Sequence, residues 1–197
     1  ELASLYMRGL ASPENGKSPL AAAVTLYEQA AAAGSLDAYL ALADLHEKGL
    51  AGIKRGPEAN QKMVEYLTLA AEHKDAEPSI AYRLGELYAR GTRGLPTRLT
   101  ELYAHDTRGL PTGVEGEELA AKWYAQAAKK GFKDARKKLA HTQHKLAKAY
   151  QKAGRKAEAV ELLMKVATAG YPEAQYDLAR MFHKGEAASV GGLTQEQ

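Results

Sequence analysis

Apolar and small residues recur along this chain at helical spacing, and the pattern is itself repeated. The stretch AYLALADLHEKG (38–49) has near-copies in AYRLGELYARG (81–91) and AQYDLARMFHKG (174–185), with a shortened version, ELASLYMRG, at 1–9. In each, apolar positions three and four apart fall on one helical face. Each also ends in glycine, which accepts the left-handed backbone of a helix C-cap. A second phrase alternates with the first. YEQAAAAGSLDA (27–38) and YAQAAKKGFKDA (124–135) agree at seven of twelve positions although they lie 97 residues apart. YLTLAAEHKDAEPSIA (66–81) and LLMKVATAGYPEA (162–174) share the same skeleton: an apolar turn, small residues, a Gly or Asp stop, then a new helix. Gly34 to Asp75 spans 41 residues and Gly131 to Gly170 spans 39, so the period is near forty and contains two helices, here called A and B.

One helical hairpin cannot cover its own apolar side, so hairpins repeated at a fixed period must stack on one another. The alanines of helix B, Ala30, Ala31, Ala70, Ala71, Ala127 and Ala128, let neighbouring helix axes approach near the short end of roughly 8–10 Å. The pattern therefore predicts an all-α, right-handed superhelical solenoid of antiparallel helix pairs. Its approximate units are 1–34, 35–75, 76–131 with an insertion at about 92–115, 132–170, and a partial unit 171–197. The chain begins without Met and inside a helix-like pattern, which reads as a fragment of a longer repeat protein.

The phrases resemble Sel1-like repeats, a branch of the tetratricopeptide superfamily. The resemblance is carried by Tyr82, Leu84, Gly85, Leu87, Tyr88 and Gly91 in helix A, and by Ala121, Trp123, Tyr124, Ala127, Ala128, Gly131 and Ala135 in helix B. It implies a non-catalytic adaptor that docks another protein, commonly a component of a membrane-associated or secreted complex. More narrowly, it implies a scaffold of bacterial exopolysaccharide secretion, like the periplasmic lipoproteins of alginate export. A periplasmic or outer-membrane-associated location belongs to the same expectation.

Two stretches break the regularity. ELYARGTRGLPT (86–97) recurs as ELYAHDTRGLPT (101–112), ten matches in twelve. Either a recent duplication lengthens this loop, punctuated by Pro96 and Pro111, or the sequence joins pieces across missing residues. In ARKKLAHTQHKLAKAYQKAG (135–154) the Leu-Ala pair occurs twice, seven residues apart, close to two helical turns. A single helix of about 20 residues, near 30 Å long, keeps the apolar stripe on one face.

Composition narrows the chemistry. There is no cysteine, hence no disulfide framework and no zinc-thiolate site. No apolar run approaches the roughly 20 residues of a membrane-spanning helix. Charge is distributed unevenly. Between Lys122 and Lys156 there are twelve Lys and Arg against Asp134 alone, whereas residues 1–50 hold three cations and six acids. The candidate partner-binding residues are Lys129, Lys130, Arg136, Lys137, Lys138, Lys145, Lys148 and Lys152. They suit an acidic protein partner or an anionic polysaccharide, while the plainer reading is a solvated helical face. Nucleic acid is disfavoured, because the interleaved aromatics Trp123, Tyr124, Phe132 and Tyr150 carry no recognised reading motif.

Catalytic patterns are missing from the sequence: no Gly-x-Ser-x-Gly elbow, phosphate-binding loop or His-Glu-x-x-His. No catalytic residue, cofactor or metal is therefore expected. His141 and His144 stand three apart, but no carboxylate accompanies them at a ligand-like spacing, so they read as surface or interhelical residues. His46 and His183 occupy positions where packing is expected.

Overall fold

The computed structural model describes residues 1–13, 18–91 and 109–185. The inserted segment up to residue 108, most of the near-copy at 101–112 and the end of the partial final unit lie outside the described residues. Among those that are described there are nine helices and no strand: α1 (Leu2–Met7), α2 (Pro19–Ala32), α3 (Leu36–Lys48), α4 (Pro57–Glu72), α5 (Pro78–Gly91), α6 (Gly113–Lys129), α7 (Lys133–Lys152), α8 (Lys156–Thr168) and α9 (Pro172–His183). Odd-numbered helices are A helices, and even-numbered ones are B helices.

Local chemistry sets the helix ends. Pro19, Pro57 and Pro172 stand in the first turns of α2, α4 and α9, where the missing N–H leaves no bond unmade. Ser35 caps α3 by accepting from the Ala38 amide at 3.4 Å. Gly49 closes α3 at φ +65°, and its amide donates to the Leu45 carbonyl, as the glycine stop predicts. The extended basic segment is one 20-residue helix, α7, as the doubled Leu-Ala pair implies.

Each helix packs mainly on its neighbours in the chain, so the core runs in series rather than gathering at one centre. Ala31, Ala38, Leu42 and Leu45 form a cluster between α2 and α3. The largest cluster, including Met63, Leu67, Leu84, Leu87, Trp123, Tyr124 and Ala127, runs from α3 to α7. A third, with Ala147, Val160, Leu163, Val166 and Met181, joins α7, α8 and α9. The long α7 serves two of them: Ala135 at one end belongs to the central cluster and Ala147 to the last. Of the helix B alanines, Ala31, Ala70, Ala71 and Ala127 are buried, and Ala30 and Ala128 are partly so.

α5 and α6 approach closely at Gly85. A Cβ placed on Gly85 would lie 2.7 Å from ring atoms of Tyr124, itself only 1 % exposed. Tyr82 leans on the same ring, with centroids 5.5 Å apart, and on Phe132 at 4.7 Å. Gly85→Ala gains about 1 kcal/mol in helix propensity but forces overpacking that costs about 1–3 kcal/mol. A net loss is expected, read as a lower denaturant midpoint. An unchanged or higher midpoint would show that the Tyr124 ring yields freely.

Candidate interaction surface

The A helices carry the polar chemistry of the fold, and charged side chains link each to the next from α3 to α9. Arg83 on α5 reaches back to α3, with Nη2 2.9 Å from Asp44 Oδ1 and 2.5 Å from Glu47 Oε2. Glu86, one turn further along α5, accepts from Lys138 on α7 at 2.8 Å and from the Tyr124 hydroxyl at 2.5 Å. Lys148 on α7 lies 3.3 Å from Asp177 on α9. Lys145 pairs with Glu117 of α6, whose side chain is nearly buried. Links from one B helix to the next are fewer among the described residues: Gln126 of α6 donates to the Ala71 carbonyl of α4 at 3.2 Å.

Asp177 is a nearly buried point of this network where several donors converge. Its Oδ2 lies 2.8 Å from His144 Nε2, and Arg180 lies 3.4 Å from Oδ1. An ionised carboxylate only accepts, so Nε2 of His144 carries the proton and donates. Tyr171 packs beside the imidazole at 5.6 Å between centroids, and its hydroxyl shares a hydrogen bond with His141 Nδ1. Burial pushes the Asp177 carboxyl up, but hydrogen bonds from His144 and Lys148 and their charges outweigh it, holding the group below the usual carboxylate range. Glu86 behaves alike: burial is overcome by the hydrogen bonds from Lys138 and Tyr124 and by the charges of Lys138 and Arg90. Tyr150, partly buried and donating to Glu118 at 2.6 Å, is pushed up to about 12.

The eight cations singled out in the sequence divide into two sets. Lys138, Lys145 and Lys148 are spent on Glu86, Glu117 and Asp177, and Lys130 donates to the Ala76 carbonyl at 3.4 Å. Lys129, Arg136, Lys137 and Lys152 are exposed and make no ion pair among the described residues. Asp44, Glu47, Arg83, Glu86 and Asp177 were not anticipated, although the repeat held a signal. Arg83 and Asp177 each stand eight residues before the closing glycine of their phrase, Gly91 and Gly185, while Asp44 stands five before Gly49. Arg83 therefore meets Asp44 of the preceding phrase, and Asp177 likewise meets the preceding A helix.

The histidines are packing and hydrogen-bonding residues in part. His144 is buried, His141 is exposed, and His46 lies against Tyr66 at 5.8 Å. His183 is exposed rather than packed. No group of three or more His, Asp or Glu that could hold a metal occurs among the described residues. Within the same limits, no helix is long and apolar enough to cross a membrane.

A serial stack of antiparallel helix pairs, covered by its own neighbours, defines an α-solenoid. A model of the Sel1 repeat matches residues 1–35, 36–75, 79–97, 107–132 and 172–194, well over half of the chain, and the protein belongs to the Sel1 repeat family. The longest stretch without a match, 133–171, holds the lengthened α7. Among solved structures the chain is similar to a protective antigen of uropathogenic Escherichia coli displaying an SLR fold, at 22 % identity and a TM-score of 0.35. It is also similar to a Sel1 repeat protein from Oxalobacter formigenes, at 22 % identity and a TM-score of 0.36. These matches cover 94 % and 96 % of this chain but 40 % and 57 % of the respective relatives, so the chain spans about half the length of the structures it resembles. No curated protein matches the sequence. Sel1 repeats generally mediate protein–protein interaction and are typically non-catalytic.

Removing the Asp177 charge tests the network. Asp177→Asn leaves His144 and Lys148 facing a neutral amide, a loss of about 1–3 kcal/mol once the exposure of Lys148 is allowed for. Because the folded carboxyl titrates below its unfolded value, its contribution is complete above about pH 4 and disappears as pH falls through the depressed value. In denaturation series from neutral to strongly acid pH, the gap between wild type and Asp177→Asn should narrow below about pH 4. A gap independent of pH would mean that the ionised carboxylate does not stabilise the fold.

Proposed function

We propose that the chain is a non-catalytic scaffold that assembles a multiprotein complex by docking another protein on its A-helix surface. The observation that supports this most directly is the run of charged residues linking α3, α5, α7 and α9, a polar surface maintained over four successive A helices. The alanine-rich B helices are packed against their neighbours through Ala70, Ala71 and Ala127. A rigid array with fixed charges spaced along it suits recognition of an extended partner better than chemistry on a small molecule. Action within a bacterial exopolysaccharide-secretion complex, at the periplasm or outer membrane, is the narrower form of this reading. Its support is the family resemblance together with the basic character of residues 122–156, most of it on α7.

A second reading, direct binding of an anionic polymer such as a polyuronate, is favoured by the unpaired Lys129, Arg136 and Lys137 where α6 meets α7. The two readings separate when the complex purified from source cells is cross-linked and mapped by mass spectrometry. The scaffold reading expects protein cross-links on the A helices, and retention of the partner to be lost with Lys48→Glu/Arg90→Glu but not with Glu65→Lys/Glu161→Lys on the B helices. Cross-links confined to B helices, or saturable polyuronate binding without any retained protein, would replace it.

A further inference from the structure

An open cleft of about 310 Å³ lies between the start of α6 and the second half of α7, lined by Gly113, Glu117, Lys145, Lys148, Ala149 and Lys152. It is at the small end of the range for ligand sites, roughly 300–1,000 Å³. Three lysines supply most of its side-chain lining, with Glu117 the one acid, so aliphatic stems lead to cationic heads. The acids already present use only part of that charge. Glu117 is taken by Lys145, and Asp177 draws on Lys148, whose side chain is still 49 % exposed. Lys152 is exposed at the rim and makes no ion pair among the described residues.

We infer that this cleft is the docking site for a short acidic segment of a partner protein, one or two of whose Asp or Glu carboxylates enter between Lys148 and Lys152. The inference rests on the scaffold reading and gives it a location and a partner chemistry. The placement of charge along α7 favours a short peptide over a continuous polyanion. The unpaired Lys137 and Lys152 are fifteen residues apart, about 22 Å along a helix. Between them Lys138 and Lys145 are bound to Glu86 and Glu117. A polymer with charge at every residue would therefore run past both Glu86 and Glu117, whereas a short peptide with its acids grouped at the cleft meets only Glu117, whose charge Lys145 already answers.

Lys137 and Lys152 make a matched pair of variants, since neither makes an ion pair among the described residues. Fluorescence anisotropy of a labelled hexaglutamate peptide is measured on wild type, Lys152→Glu and Lys137→Glu, with circular dichroism confirming that all three are folded. Saturable binding to wild type is expected, with roughly tenfold weakening by Lys152→Glu, the scale of one partly screened charge reversal, and less than about twofold change by Lys137→Glu. A Lys148→Gln variant should weaken binding in the same direction as Lys152→Glu. Equal weakening by Lys152→Glu and Lys137→Glu would indicate diffuse attraction to the whole helix and overturn the site. So would absence of saturable binding, or tighter binding of an oligogalacturonate with the same number of carboxylates. If the cellular partner is kept by Lys152→Glu as well as by wild type, the cleft is excluded while the scaffold reading stands.

Discussion

An antiparallel pair of helices exposes as much apolar surface as it hides, and in this chain the only cover available is the next pair. That requirement explains why the same two phrases return every forty residues and why the buried residues fall into three clusters in series. It also explains the choice of side chains. Where α5 meets α6, the Tyr124 ring packs against Gly85, so an aromatic ring fills the space that a pair of larger residues would have to share. Alanine does the same elsewhere: Ala70, Ala71 and Ala127 are almost wholly inaccessible, and each allows a close approach without adding rotamer freedom to be lost. Stability in such an array is a sum of neighbour terms, so damage at one junction is felt mostly by the two units beside it.

Apolar cover alone specifies register weakly, because one alanine-rich face resembles the next. The charged links between A helices supply what the alanines lack. Arg83 meets Asp44 and Glu47, Lys138 meets Glu86, and Lys148 meets Asp177. A slip by one helical turn would set Arg83 away from its acids. These pairs differ in weight. Those with both partners a third or more exposed are worth about 0–1 kcal/mol each. Asp177, with side-chain exposure of 9 %, is held by three donors on two helices and is the costliest to disturb.

Most of the architecture was legible in the sequence because it depends on local and periodic signals. Glycine stops, the alanine positions and the 20-residue α7 all follow from spacing within a few turns. The partners of the basic residues do not. Lys138 meets Glu86 across 52 residues, Lys145 meets Glu117 across 28, and Lys148 meets Asp177 across 29. No window of helical length contains both ends of any of these pairs. His144 shows the same limit: its carboxylate partner is absent from its own helix and arrives from α9. The expectation that failed, packing of His183, relied on position within the phrase without knowing which face the following unit would cover.

Counting charges along a repeat protein therefore overstates the field that a partner meets. The segment from Lys122 to Lys156 carries twelve cations against one acid, yet three of those on α7 are answered by acids brought in from α5, α6 and α9. Each such pair removes most of its own long-range field, since opposite charges a few ångströms apart act together as a dipole whose influence is screened within about 10 Å at ordinary salt. Among the described residues, the exposed cations of α7 that make no ion pair stand at its two ends: Lys133, Arg136 and Lys137 near its start, and Lys152 where it borders the cleft. Stacking thus does two things with one set of lysines. It spends the middle of α7 on joining neighbouring repeats, and by doing so it leaves the free positive charge at the two ends of that helix, where contact with another molecule requires no break in the array.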